Sequence, residues 1–171
     1  DNLARDWAKP GTPNLQHRIG GLEKDAATGN VSHDPENHQL MVDTRLQKVK
    51  NIADTIPTPE YFGPENPEVL VVGWGSTYGA IRSATEAMQR DGISVGRIHL
   101  RHIFPFPHGL PEIFASAKNI VVPELNMGQL AHLLTAEYPE FKFRSFHKVQ
   151  GKPFFAPELK AHFAAIMEET A

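Results

Sequence analysis

The 171-residue chain contains no cysteine. Disulfides, thiolate catalysis and cysteine-ligated iron–sulfur clusters are therefore excluded from it. No apolar run approaches the ~20 residues of a membrane-spanning helix, and no signal-peptide pattern opens the chain. Charge of one sign is also scarce: 17 Lys and Arg stand against 20 Asp and Glu, a formal net charge of −3. A nucleic acid or an anionic membrane surface is thus not an expected partner. Internal repeats and low-complexity tracts are absent. What remains fits a cytoplasmic globular protein. The length suits one α/β domain plus an appendage, on a scale of ~100–200 residues per domain. Beginning at Asp1 rather than Met, the chain reads as a piece of a longer polypeptide.

Two regions differ in texture. Residues 1–32 are rich in Gly, Pro, Asn and Asp and read as an extended arm. A helix follows, with Asp34 as N-cap and Pro35 at its first position. Val42, Leu46, Val49, Ala53 and Ile56 recur at spacings of 4, 3, 4 and 3, which places them on one helical face. Pro57 and Pro59 end the helix, and the Pro-rich stretch after them reads as a linker. The expected division is residues 1–65 for arm, helix and linker, and 66–171 for an α/β domain.

From Val69 onward, strand and helix patterns alternate. Strands are expected at 69–74, 96–104, 119–124 and 140–146, with the last a half-exposed edge. Helices are expected at 77–91, from Pro111, at 127–138 and from Pro157. This order predicts a mostly parallel sheet covered by helices on both faces, with right-handed crossovers.

The stretch VLVVGWGSTYGAIRSA hands a strand to a helix through glycines. Free N–H groups at such a helix start attract anions, so Gly73, Gly75, Ser76 and Thr77 are candidate anion or ligand contacts. The alternative is structural: glycine permits a sharp turn and close helix–sheet packing. The spacing G-x-G-x-x-x-G departs from the dinucleotide fingerprint, and no Lys follows to make a phosphate-binding P-loop. A second candidate group is Glu124, Asn126 and Gln129, where the strand 119–124 meets its following helix. Ligands of open α/β sheets gather at such strand ends. Equally, Asn126 can cap that helix while Glu124 favours its N-terminal dipole. Nine histidines invite a metal reading, but His99 and His102 point apart on a strand and His33 and His38 have no third ligand. No nucleophile–base pair and no pair of catalytic carboxylates is found, so no catalytic and no metal-binding residue is expected.

Four ordered segments, HRIGGLEKDAATGNVSHDPENHQLMVDTRLQKVKNIA, VLVVGWGSTYGAIRSA, LRHIFPFP and VVPELNMGQLAHLL, together resemble the C-terminal part of the alpha subunit of 2-oxoacid:ferredoxin oxidoreductases, 2-oxoglutarate type. The resemblance implies a three-layer α/β/α fold like the transketolase C-terminal domain, with a mostly parallel, five-stranded sheet. It implies thiamine diphosphate, Mg²⁺ and a [4Fe–4S] cluster in the parent complex, but none on this chain. It implies a beta subunit and an upstream thiamine-pyrimidine domain as partners, with coenzyme A and ferredoxin acting at the level of the complex. One departure stands out. Such alpha subunits often read Gly-Leu-Glu-His, whereas here Lys24 follows Gly21, Leu22 and Glu23.

Two classes of function follow. One is a non-catalytic structural and interface domain of that oxidoreductase, which makes acyl-CoA, CO₂ and reduced ferredoxin. The other is a free-standing ligand- or nucleotide-binding module working through the Gly73–Gly79 loop; a scaffold without any ligand is a third reading. On the first, Val42, Leu46 and Val49 are interface residues, covered by the chain's own α/β domain, a second copy in a homodimer or the missing thiamine domain, and the resemblance favours a subunit interface.

Overall fold

The computed structural model describes residues 3–169. It divides into two compact units, Asp1–Thr55 and Ile56–Ala171.

In the first unit, helix α1 spans Pro35–Lys50 and continues as a 3-10 turn over Asn51–Thr55. Asp34 caps it, its side chain accepting from the N–H groups of Glu36 and Asn37. Among the described residues of this unit only Asn37 and Ala53 are buried. It has no hydrophobic core, and polar contacts shape it instead. Residues 23–32 form a small hairpin, bridged at Lys24 and Val31. Its turn is closed by Asp25 Oδ1, which accepts from the N–H groups of Ala27 and Thr28 at 3.0 and 2.7 Å.

The second unit contains β1 (Val69–Trp74), α2 (Tyr78–Arg90), β2 (Val95–Leu100), α3 (Leu110–Ala115), β3 (Asn119–Glu124), α4 (Gln129–Glu137), β4 (Phe143–His147) and α5 (Ala156–Glu169). The strands run parallel in the order β2-β1-β3-β4. Alternation along β1 makes the layers. Val69 and Val71 face Ile81, Ala84 and Met88 of α2 and Leu159, Phe163 and Ile166 of α5. Leu70 and Val72 face Leu110 and Phe114 of α3 and Leu130 and Leu134 of α4. Each strand residue thus meets one of two apolar layers, which is why β1 and β3 read as nearly continuous apolar runs.

The three-layer α/β architecture is as the sequence predicts, but the sheet has four strands among the described residues rather than five. Beside the outer edge of β2 lies one antiparallel bridge, Phe62 to Arg97. Pro57, Pro59, Pro64 and Pro67 deny that segment a continuous row of N–H donors. The stretch with a linker's composition is nevertheless laid on the α/β unit. Phe62 and Arg97 exchange main-chain bonds of 3.0 and 2.9 Å. The Tyr61 hydroxyl donates to the Pro64 carbonyl, and the Tyr61 ring lies where a β-carbon on Gly96 would stand. β2 is shorter than expected, since its partner β1 ends at Trp74, opposite Leu100.

The glycine near the end of β1 and the one just after it act differently. A β-carbon at Gly73 would sit 2.6 Å from Ile81 Cδ1 and 3.2 Å from His99 Nδ1. Its role is close packing of α2 on the sheet. Gly75 has open space around it but a φ of +56°, so its role is conformational. Gly75→Val should therefore destabilise by about 1–2 kcal/mol through backbone strain alone. Gly75→Asn, which tolerates this region, should cost clearly less. Chemical denaturation of both variants checks this, and equal losses would overturn the conformational account.

Candidate functional site

The carboxyl ends of β1 and β3 form the point where the chain switches direction across the sheet, the usual place for a site in open α/β folds. Both sequence-derived candidate groups stand there: Gly73–Thr77 run from the end of β1 into the turn before α2, while Glu124 ends β3, Asn126 lies in the loop after it and Gln129 opens α4.

After β1, Thr77 is buried, and its hydroxyl is engaged twice. It donates to the Trp74 carbonyl at 2.7 Å and accepts from the Trp74 N–H at 3.3 Å. These bonds close the 3-10 turn Gly75–Thr77 and set the entry angle of α2. Gly75 and Ser76 are exposed. His99 lies beneath, its ring meeting Tyr78 edge-on at 5.0 Å between centroids. Burial, and then the charge of Arg101, push its pKa below the ordinary histidine value.

After β3, the polar groups form a closed set. Glu124 is fully buried. One carboxylate oxygen accepts from Leu130 N–H at 2.8 Å and the other from Ala131 N–H at 3.0 Å. Asn126 Nδ2 donates to the first of these oxygens at 3.1 Å. Asn126 Oδ1 accepts from the N–H groups of Gly128 and Gln129 at 2.8 and 3.0 Å. The first N–H groups of α4 thus have partners inside the chain, an internal cap in place of an open anion cradle. The Gln129 side chain is exposed. Gly128, at φ +84°, makes the approach to β4 close enough that a β-carbon would meet Ser145 Oγ at 2.7 Å.

A second polar cluster, in the first unit, has no counterpart in the sequence reading. Glu23 receives Arg45 through two bonds of 3.1 and 3.3 Å, one to each carboxylate oxygen, and His38 Nδ1 lies 2.9 Å from the oxygen that takes the longer one. Asn37 Oδ1 accepts from Ala26 N–H, and Asn37 Nδ2 donates to the Lys24 carbonyl, both at 2.9 Å. Together they fasten the hairpin to α1. The partners lie 11 to 22 residues apart, beyond any local spacing rule. The one visible signal is the helix start itself, which fixes where Asn37 and His38 point. Val42 and Leu46 on α1 are 40% and 43% exposed, and Val49 is half-buried.

The donor chemistry for metals is poor. The chain has no thiolate for an iron–sulfur cluster. Among the described residues no group of three or more His, Asp or Glu is placed to hold a metal ion. No described helix is long and apolar enough to cross a membrane.

A doubly covered parallel sheet, entered by a prolyl-rich cover strip and internally capped at its switch point, is an α/β domain of a known kind. Residues 67–151 match the family model for pyruvate:ferredoxin oxidoreductase core domain II. The subunit KorA of a 2-oxoglutarate oxidoreductase from Mycobacterium tuberculosis is 43% identical over 160 residues, covering 93% of this chain and 24% of that protein. The alpha subunit of 2-oxoacid:ferredoxin oxidoreductase 2 from Aeropyrum pernix is 31% identical over 155 residues, or 88% of this chain and 24% of that protein. A solved 2-oxoglutarate:ferredoxin oxidoreductase from Magnetococcus marinus, with 2-oxoglutarate, coenzyme A and succinyl-CoA bound, superposes with a TM-score of 0.87 at 30% identity. That match covers 98% of this chain and 29% of the solved one. The chain belongs to the alpha subunits of the 2-oxoacid:ferredoxin oxidoreductases. It spans about a quarter of the length of the curated relatives it matches.

Glu124→Ala should destabilise by roughly 2–6 kcal/mol, because two buried N–H groups lose their acceptors at ~1–3 kcal/mol each. Glu124→Gln keeps an acceptor and should cost less. Thermal unfolding of the pair checks this; an Ala variant as stable as wild type would show the cap to be dispensable.

The hydrogen bonds from Arg45, then His38, hold the Glu23 carboxyl down to about 2 from an ordinary 4.5. A depressed folded value means that the lock stabilises fully above about 4.5 and is lost as pH falls through about 2. A carboxyl-carbon NMR titration should find Glu23 ionised at pH 3. Arg45→Ala should move its midpoint upward. An ordinary midpoint in the wild type would refute the lock.

Proposed function

We propose that this chain is a non-catalytic structural and interface domain of a thiamine-diphosphate-dependent 2-oxoglutarate:ferredoxin oxidoreductase. The parent enzyme would convert 2-oxoglutarate and coenzyme A to succinyl-CoA and CO₂, with electrons passing to ferredoxin. The observation that carries this reading is similarity running through nearly the whole chain to alpha subunits of such enzymes, 2-oxoglutarate-specific ones included. The domain division at residues 65 and 66 belongs to the same proposal, with the arm and helix as the joining segment. So does a cytoplasmic setting.

The chain's own chemistry supports a non-catalytic role. Thr77, Glu124 and Asn126 spend their polar atoms on the fold. Thiamine diphosphate, Mg²⁺ and the [4Fe–4S] cluster are assigned to other parts of the enzyme: the chain offers no cysteine to a cluster, and among the described residues no group of His, Asp and Glu is placed to hold a metal ion. A ligand-binding module built on Gly73–Gly79 is not favoured. Of its candidate donors, Gly75 and Ser76 alone remain open, joined at most by Gln129 across the switch point.

The first unit is proposed as the interface toward the thiamine-pyrimidine domain and the beta subunit. Val42 and Leu46 lie open on a unit that has no core of its own, and covering them would stabilise by ~1.5–3 kcal/mol per large side chain. A homodimer through the same face is the competing cover.

Two measurements test the proposal. Titration calorimetry of this chain with thiamine diphosphate and Mg²⁺ should show no micromolar binding, while the assembled enzyme turns over 2-oxoglutarate with coenzyme A and ferredoxin. Micromolar binding to the chain alone, or an assembly inert toward 2-oxoacids, would refute it. In sedimentation, Leu46→Glu should dissociate whatever oligomer or complex the wild type forms while keeping its fold. A wild type that stays monomeric with this face open to solvent, beside its would-be partners, would remove the interface.

A further inference from the structure

β2 is an outer strand of the sheet, so every second residue along it turns its main-chain groups away from β1. Arg97 is one of these, since it exchanges both of its main-chain bonds with Phe62. By alternation Val95 is another. Its N–H donates to the Ile93 carbonyl at 3.0 Å, and its carbonyl accepts from Gln89 Nε2 at 2.8 Å. Val95 and Arg97 are thus both taken, without a further strand. Residues 58–64 run along this edge against the direction of β2. Thr58 stands beyond its carboxyl end, where a β-carbon on Gly109 would meet Thr58 Cγ2 at 2.8 Å. Tyr61 and Phe62 lie at Gly96 and Arg97. A β-carbon on Gly63 would stand 2.6 Å from the Gly96 α-carbon and 3.1 Å from the Val95 carbonyl oxygen.

What holds these residues down is local. None of residues 57–66 is buried, so apolar burial contributes little. The seat is a missing side chain: a β-carbon on Gly96 would stand 2.8 and 2.9 Å from Cε2 and Cζ of Tyr61. The second hold is Arg97, which is buried. Its guanidinium bonds Thr85 Oγ1 at 3.2 Å and Glu86 Oε1 at 3.1 Å, and lies 4.4 Å over the Phe62 ring. Arg97 Nε is buried without a hydrogen-bond partner, so the closed arrangement leaves one donor unmet. A weakly buried segment that is held at two points, one of them at a cost, can come away while the sheet stays whole.

We propose that residues 58–64 are a detachable strap, seated by Tyr61 in the gap left by Gly96, and that its release lets β2 of one copy pair with β2 of another. An antiparallel pair is two-fold symmetric, so a bared edge is complementary to the same edge on a second copy. While the strap is closed, the main-chain groups of Arg97 that such a pair needs belong to Phe62. Pro57, Pro59, Pro64 and Pro67 keep the strap from becoming a regular strand. It therefore occupies the edge without extending the sheet.

Two variants of the 171-residue chain open the strap from opposite sides. Gly96→Val fills the seat and leaves a strand-forming residue in β2. Phe62→Pro removes the N–H that the Arg97 carbonyl accepts and the ring under the guanidinium. In native-state hydrogen exchange the Arg97 amide should lose protection about tenfold or more in both variants, while the amides of Val71 and Val121 in the inner strands keep theirs. In sedimentation velocity both variants should form larger species than wild type at equal concentration. That growth should persist when Leu46→Glu is added, which separates this edge from the face of α1. The proposal falls if Arg97 stays protected in both variants, or if it is freed and no added association follows. It falls equally if both variants lose protection at Val71 and Val121, because the strap would then be part of the fold and not detachable. If one variant alone unfolds, the other decides by the same two readings.

Discussion

The rest of the α/β unit depends on one buried carboxylate. Burying Glu124 away from water is costly unless its lone pairs are met, and the first turn of α4 meets them with main-chain N–H groups. The same contact satisfies donors that the helix start would otherwise orphan. Strand end and helix start therefore solve each other's problem, and the loop between them has little freedom left. The price is chemical: a carboxylate at the switch point of the sheet, where a ligand or a catalytic base would sit in another α/β protein, is occupied with holding the fold.

The two units are stabilised by different physics. In the second, alternate residues of β1 and β3 enter two apolar layers, and burial dominates. In the first, Glu23, Asn37, Arg45 and Asp25 make a network of polar bonds around almost no apolar interior. Exposed ion pairs of this kind each contribute little. Such a unit holds a shape without resisting removal of it. It suits a segment that is completed by contact with something else, and its open apolar positions on α1 have the same implication.

How far the fold was legible depends on the range of each interaction. The strands 69–74 and 119–124 could be read to the residue, because burial on both faces leaves a nearly continuous apolar run at their centres. The end of β2 could not, because it is set by where β1 stops pairing and not by its own residues. Prolines 57–67 read as a linker because composition reports missing donors; it does not report that Tyr61 finds a seat on Gly96. At the switch point the residues were found but their employment was not. Glu124 and Asn126 are as consistent with a ligand as with a cap until the N–H groups of α4 are located. Gly75 was legible as special, though its neighbours are absent and its φ alone accounts for it. The Glu23 lock was invisible, since it joins residues up to 22 positions apart with no periodic signature.

The strip from Pro57 to Pro67 also has a meaning in time. An unpaired strand edge is a template on which other chains can grow. β2 is the outer strand of the sheet on its side, and the strip lies against it with Phe62 bridged to Arg97 and the guanidinium 4.4 Å over the Phe62 ring. Because synthesis proceeds from the N-terminus, this cover leaves the ribosome some thirty residues ahead of the strand that it guards. The edge is thus chaperoned from its first appearance by a piece of its own chain, one too rich in proline to act as a template itself.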